Sequence, residues 1–436
     1  MKKYFKIILL CFLVIVTTLY LYCIVPLVAD GVWNYGFGFN ISSGLVPYKD
    51  FNMIIPPLFP YILSLFTSIT GNKFITYYIV ISIITILTSI IAYKKIGYKS
   101  ILIYLVILIY PHNGYNTFAL FLMFVLLFIL DKDDNNDVLI AVIISLMFLT
   151  KQTLGLLIIP SIIYSKNNKK TIAVYLVAVL SLLIYLIFNN NLYEFIDYCF
   201  LGMLEFTDKN NTEINLVSFI EIPLVIYLFV LLIKSKFKNK ELFYILLFQI
   251  ISFPITDGPH FAITFCPVIY YFYSKCRNRE LSFAFTLILI FYVLGYNLGI
   301  CNWNTDTIYK EKESFINYKK TPNYLESYFN GIKLYKEKYK DYRLYLLDSR
   351  AYIAKLEFNL KIDKYDLIND GNMGYKGDKK YIKEIDKYCS NNKCLFMVNT
   401  DECLKDTNQT NKAIISYITK NYKEICSSNI TSIYIN

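Results

Sequence analysis

Apolar runs separated by short basic loops fill the first 300 positions, and this alternation limits the fold more than any other feature. The runs fall at about 7–28, 73–93, 100–111, 116–130, 138–150, 153–164, 171–188, 216–233, 241–256, 261–273 and 281–299. A membrane-crossing helix needs about 20 apolar residues. Hydrophobic residues make up 56% of the 436 positions and charged residues only 18%, which is too apolar for an ordinary soluble domain.

The loops orient the chain. With the N-terminus inside, one side collects Lys2, Lys3, Lys6, Lys94, Lys95, Lys99, Lys132, Lys166, Lys169, Lys170, Lys234, Lys236, Lys238, Lys240, Lys275, Arg277 and Arg279. The other side, up to residue 300, holds Lys49, Lys73, Lys151 and Lys209. Seventeen against four is a positive-inside asymmetry, and it predicts about eleven spans with residues 301–436 outside. The run over 7–28 is long enough to span, and no small-x-small site follows it, so it reads as the first span rather than a cleaved signal. The formal charge of +11 is explained by topology, and no nucleic-acid partner is expected.

Several runs are short for a crossing, with breaks at Pro111-His-Asn-Gly-Tyr-Asn116 and at Lys151-Gln152. Short helices whose outer ends stop at a water-filled cavity account for both breaks, because irregular backbone is tolerated at membrane depth where it lines a cavity. Residues 31–43 and 53–71 read as two interfacial pieces on the outer face. If 53–71 were instead a span, the alternation of basic loops would be spoiled.

The residues between the first two spans carry a recognisable pattern. Asp30 ends the first apolar run, and Gly44-x-x-Pro47-Tyr48-x-Asp50-Phe51 and Pro56-Pro57-Leu58 follow. This segment resembles the first extracytoplasmic loop of GT-C glycosyltransferases that use lipid-phosphate sugar donors, of the protein mannosyltransferase and aminoarabinose transferase type. The resemblance covers about residues 5–300. It implies a GT-C fold with two juxtamembrane helices, and an inverting transfer of sugar from a polyprenyl-phosphate donor to a glycan, lipid or protein acceptor. That reaction occurs at the outer face of the membrane and involves no cofactor. Gly31 stands where members of the family often carry a second acid, so a metal held by paired acids is not expected.

Asp30 is the candidate general base, since an acceptor hydroxyl must lose its proton as the anomeric carbon is attacked; the alternative is that it caps the helix that follows. Asp50 is a further substrate-binding candidate, with a turn-fixing role as its alternative. Thr150-Lys151-Gln152 resembles a phosphate-holding element of the family, with Lys151 as a point charge. Phe253-Pro254…Asp257-Gly-Pro-His260-Phe261 resembles another element near the donor site, assigning Asp257 and His260 to substrate binding. His112 and Asn113, with Tyr115 and Asn116, face the same side and are expected to line the cavity.

Other chemistries are poorly supported. The chain has no Gly-x-Gly-x-x-Gly or Walker loop, and neither His belongs to a zinc-spaced cluster. A transporter or flippase would carry charges in mid-membrane helices and paired broken helices. A polysaccharide polymerase or ligase would carry Arg and His in a large outer loop, and 189–215 has neither.

Residues 301–436 hold 23 of the 44 Lys+Arg and read as a small extracytoplasmic α/β domain. Strands are expected at 343–348, 366–369, 394–399 and 433–435, with helices at 350–360, 377–388 and 410–422. Gly371-Asn-Met-Gly374-Tyr-Lys-Gly377 resembles an anion-binding loop, with a plain turn as the alternative. Cys389 and Cys394 are close enough in sequence to pair; Cys403 with Cys426 is a second possibility.

Overall fold

The structure is a computed structural model. It describes residues 2–25, 27, 29–71, 73–109, 114–131, 136–203, 216–251, 258–275, 306–308, 316, 319–322, 324–347, 351–360, 362–366, 373–399, 409–427 and 431–436. The span expected over 281–299 lies outside the described residues, as do His112, Asn113 and Asp257.

Among the described residues, the regular elements of the first part are helices. They include α1 (Lys2–Leu19), α2 (Ala29–Ser42), α3 (Leu58–Thr70), α4 (Ile75–Ile96), α5 (Ile101–Ile109), α6 (Gly114–Leu130), α7 (Asp137–Thr150), α8 (Ile158–Tyr164), α9 (Asn168–Phe188), α10 (Leu192–Ile196), α11 (Leu216–Lys234), α12 (Lys240–Ile250) and α13 (Gly258–Lys275). Among the described residues, three helical runs are long and apolar enough to cross a membrane: Ile7–Ile24, Ile75–Leu108 and Asn168–Phe188. The second of these folds back on itself at Gly97, whose φ is 61°. Neighbouring residues Thr17 and Thr18 of α1 bond to Tyr104 on α5 and Ser82 on α4 respectively.

The two ends of this bundle differ chemically. At one end Lys275 bridges Asp131 and Glu241, each at 3.2 Å, and Lys95 pairs with Asp131. These side chains close the ends of α4, α6 and α13 and the start of α12, all from the basic loops. The opposite end carries α2, α3, the start of α6 and the end of α7.

Both helices expected between the first two spans form. α2 and α3 pack so closely that a β-carbon on Gly38 would lie 2.7 Å from Leu63 Cγ. Glycine permits this approach, and it buries Tyr35, Phe37, Phe59 and Leu63. The break at Lys151 also forms. Lys151 is extended (φ −149°, ψ 123°) between α7 and a 3-10 turn over Gln152–Leu157.

The tail contains β1 (Asp306–Ile308) paired with β2 (Lys320–Pro322), followed by a four-stranded sheet of β3 (Arg343–Leu347), β4 (Cys394–Asn399), β5 (Lys423–Ser427) and β6 (Thr431–Ile435). The sheet order is β3-β4-β6-β5, with β3 and β4 parallel and the other neighbours antiparallel. Its helices are α14 (Tyr324–Lys338), α15 (Ala351–Glu357), α16 (Gly377–Cys389) and α17 (Gln409–Asn421). Leu344 to Leu347 and Cys394 to Val398 are buried, the continuous apolar runs of strands covered on both faces. β5 does not appear in the sequence reading because its residues are mostly exposed and weakly alternating. The strand expected at 366–369 falls largely outside the described residues; Asp366 itself lies in a bend. Cys389 and Cys394 form a disulfide. The thiol of Cys426 is free and exposed; Cys403, its partner in the second pairing considered, lies outside the described residues.

The tail is stitched to the bundle rather than set apart from it. Buried Lys319 donates to the carbonyls of Leu21 and Val25, a cation at the C-terminal end of the first helix where the dipole favours it. Tyr352 donates to Asn40 Oδ1 (2.6 Å), and Lys364 O accepts from Asn52 N (2.9 Å). Asp197, buried at 5% side-chain exposure, accepts from Tyr375 N (2.9 Å) and Lys380 Nζ (3.0 Å). Lys319 and Asp197 both act at π-helical turns, Tyr20–Ile24 and Asp197–Leu201, where one extra residue per turn distorts the regular bonding ladder.

Candidate active site

Lys151 sits at the C-terminal end of α7 because the helix stops there. Its N–H still bonds to Met147 O (3.0 Å), and the extended backbone then turns the chain away. Gln152 pins this turn by donating to Ile54 O (3.1 Å) and Cys199 O (2.8 Å). Half-buried Lys151 is thus aimed inward. Its Nζ donates to Asn116 Oδ1 at 3.0 Å and lies 5.9 Å from the Tyr115 ring centre.

The amide of Asn116, 4% exposed on the first turn of α6, points its nitrogen at His260 Nε2, 3.4 Å away. His260 is the third residue of α13. Lys151, Asn116 and His260 line one narrow pocket together with Thr264, Phe248 and Ile251. As it stands the pocket encloses about 10 Å³, room for a single water molecule.

A second polar string backs this pocket. Gln249 donates both to Glu221 Oε1 (2.8 Å) and to Thr264 Oγ1 (2.9 Å), and Thr264 donates to the carbonyl of His260 (3.0 Å). Glu221 is fully buried. Sequence reasoning passed over it, although a lone acid in the apolar run 216–233 is a functional candidate by default.

Asp30 lies in the first turn of α2, where negative charge complements the helix dipole. It is half-buried and within electrostatic reach of Tyr77. Asn34 ties this turn to α6: it donates to Asp30 O (2.7 Å) and accepts from Tyr115 N (3.3 Å). Tyr115 precedes Asn116, so the first turn of α6 connects the acid to the Lys151–His260 pocket. Gly114 starts that turn with its Cα against Tyr77 and Phe59, and any β-carbon there would meet both rings within 3.0 Å.

Asp50 closes a turn in the first outer loop. Its carboxylate accepts from Val46 N at 2.7 Å, closing the turn in which Tyr48 adopts φ 68°, and it does not line the Lys151 pocket. Among the described residues no group of three or more His, Cys, Asp or Glu is placed to hold a metal ion.

Two solved structures share this fold over the length of the chain. ArnT from Cupriavidus metallidurans in the apo state matches with TM-score 0.54 and 11% identity, covering 100% of this chain and 98% of that one. The same protein bound to undecaprenyl phosphate matches with TM-score 0.51 and 11% identity, covering 99% and 98%. This chain has the fold of ArnT. At 11% identity the likeness concerns architecture, and it extends through the tail, for which the sequence had suggested no relative. No protein-family model matches the chain, and no curated protein matches it.

Proposed function

We propose that this protein is a membrane glycosyltransferase that moves a sugar, with inversion, from a polyprenyl-phosphate donor to an acceptor hydroxyl, with Asp30 as general base. The observation that carries the proposal is the convergence of Lys151 and His260 on Asn116, one residue after Tyr115, whose N–H bonds to Asn34 in the helix that carries Asp30 in its first turn. A cation and an imidazole that meet the two ends of one amide suit a phosphate, which accepts from an ammonium and from an imidazole N–H. The Asn116 carbonyl now occupies the position of such an acceptor, so an entering phosphate oxygen would take over its bond to Lys151. The undecaprenyl phosphate bound by ArnT is a ligand of this chemistry on the same fold.

Asp30 takes the acceptor proton, and the lipid phosphate leaves with the electrons of the anomeric bond. The chemistry sits at the bundle end remote from the basic loops, the outer face by the positive-inside asymmetry, and the tail covers that end. Mass spectrometry of lipid extracted from the purified protein tests the donor class. A polyprenyl phosphate is expected to co-purify and to be depleted in Lys151→Ala; recovery of ordinary phospholipids alone would overturn the reading.

A further inference from the structure

The tail holds a second cavity, remote in sequence from Lys151 and unused by the chemistry above. It has a volume of about 270 Å³ and is lined by Tyr335, Arg343, Lys355, Asp363 and Tyr388 among others. That is slightly under the roughly 300 Å³ at which small-molecule sites begin, sized for one ring rather than an extended ligand.

The lining is built in two layers. At the back, Lys355 (1% exposed) donates to both oxygens of Asp366 at 2.7 Å and to Asp363 Oδ2 at 3.1 Å, which uses all three of its N–H groups. In front, Arg343 donates through Nη2 to Asp363 Oδ1 at 2.8 Å, with its guanidinium 4.5 Å from the Tyr388 ring centre and 5.0 Å from that of Tyr345.

The Arg343 side chain is 36% exposed and has five donors in a fixed fork, of which the Asp363 contact takes one. Each Asp363 oxygen accepts one of these bonds and keeps a lone pair. The cavity therefore presents adjacent donors and acceptors held rigid beside aromatic rings. Its two cations are balanced by Asp363 in the lining and by buried Asp366 behind it, so the site as a whole carries no net charge. Such a surface matches a neutral ring that is polar at its edge and apolar on its face.

We propose that this cavity binds a single neutral sugar ring of a glycan, with vicinal hydroxyls on the Arg343–Asp363 pair and the ring face toward Tyr388 or Tyr335. Assigning that glycan to the acceptor rests on the transferase reading. The site is wired toward the first outer loop: Lys364, next to Asp363, accepts from Asn52 N, and Tyr352, one helical turn before Lys355, bonds to α2.

The full-length protein in nanodiscs is titrated with maltose, cellobiose and lactose, and separately with inorganic phosphate, using saturation-transfer NMR. At least one disaccharide is expected to bind, at least tenfold more weakly to Arg343→Lys, which keeps charge but loses the fork, and to Tyr388→Ala. Both variants are checked for an unchanged thermal midpoint, and Arg343→Lys alone decides if Tyr388→Ala misfolds. Lys151→Ala must bind sugar normally, so failure of the donor reading and failure of this one are separable. Absence of binding by all three sugars, binding unaffected by Arg343→Lys, or binding of phosphate alone would overturn the proposal.

Discussion

The Asp197 carboxylate occupies the space that a side chain on Gly374 would need. A β-carbon there would lie 2.2 Å from Asp197 Oδ2, and Gly374 has φ 89°, a conformation natural only to glycine. The loop that resembles an anion-binding motif does hold an anion, supplied by the bundle itself.

Gly374→Ala combines the clash with left-handed backbone, costing roughly 1–3 kcal/mol for the strain alone. A lower thermal midpoint and faster proteolysis of the tail are expected, with helical content retained. An unchanged midpoint would mean that the loop and Asp197 part easily, and that the contact does not dock the tail.

Lys151→Ala removes a charge-assisted donor, worth about 1.5–3 kcal/mol. The Kd for a polyprenyl phosphate should rise by about ten- to a hundredfold, while acceptor affinity stays the same. Asn116→Ala should weaken donor binding less, because it removes the group that orients Lys151 and His260 but no charge. Equal losses toward donor and acceptor would argue against a phosphate site.

Asp30→Asn keeps shape but takes no proton. Sugar transfer should fall by about two to four orders of magnitude, with stability changed by no more than the roughly 1 kcal/mol of a helix cap. Near-normal turnover from a defined polyprenyl-phosphate donor would reduce Asp30 to a structural residue.

The tail's buried acids set a pH dependence. Burial pushes the Asp366 carboxyl up to about 6, against the pull of Lys355. Burial acts the same way on Asp363, but Lys355 and Arg343 outweigh it and hold that carboxyl below the ordinary range. A carboxyl raised on folding favours the native state below its unfolded value of about 4, and that contribution is lost as pH rises through the folded value. Measured against Asp366→Asn, the native protein should therefore lose thermal stability between about pH 4 and 6 and hold level above that range. Asp363 has the opposite sign: its contribution is present above about pH 4 and lost at lower pH, and it should be removed by Asp363→Asn. A wild-type-minus-Asp366→Asn difference that is flat from pH 4 to 7 would refute the first assignment.

Local chemistry made much of this protein legible in its sequence. Apolar run length and basic loops predicted a helical membrane protein, because backbone in lipid must satisfy its own hydrogen bonds. The breaks at Lys151 and around Gly97 follow from residues that cannot continue a buried helix. The helices at 29–42 and 58–70, and most tail elements, follow from periodicity. What tertiary structure alone decided is which polar groups meet. Asn116 joins Lys151 to His260 across 35 and 144 positions of sequence, and Glu221 reaches Thr264 through Gln249. Lys319 caps a helix some 294–298 positions earlier, and Asp197 fills a glycine loop 178 positions away. A hydrogen bond depends on ångström-scale position, and a linear pattern specifies faces and lengths but not the packing that brings distant faces into register.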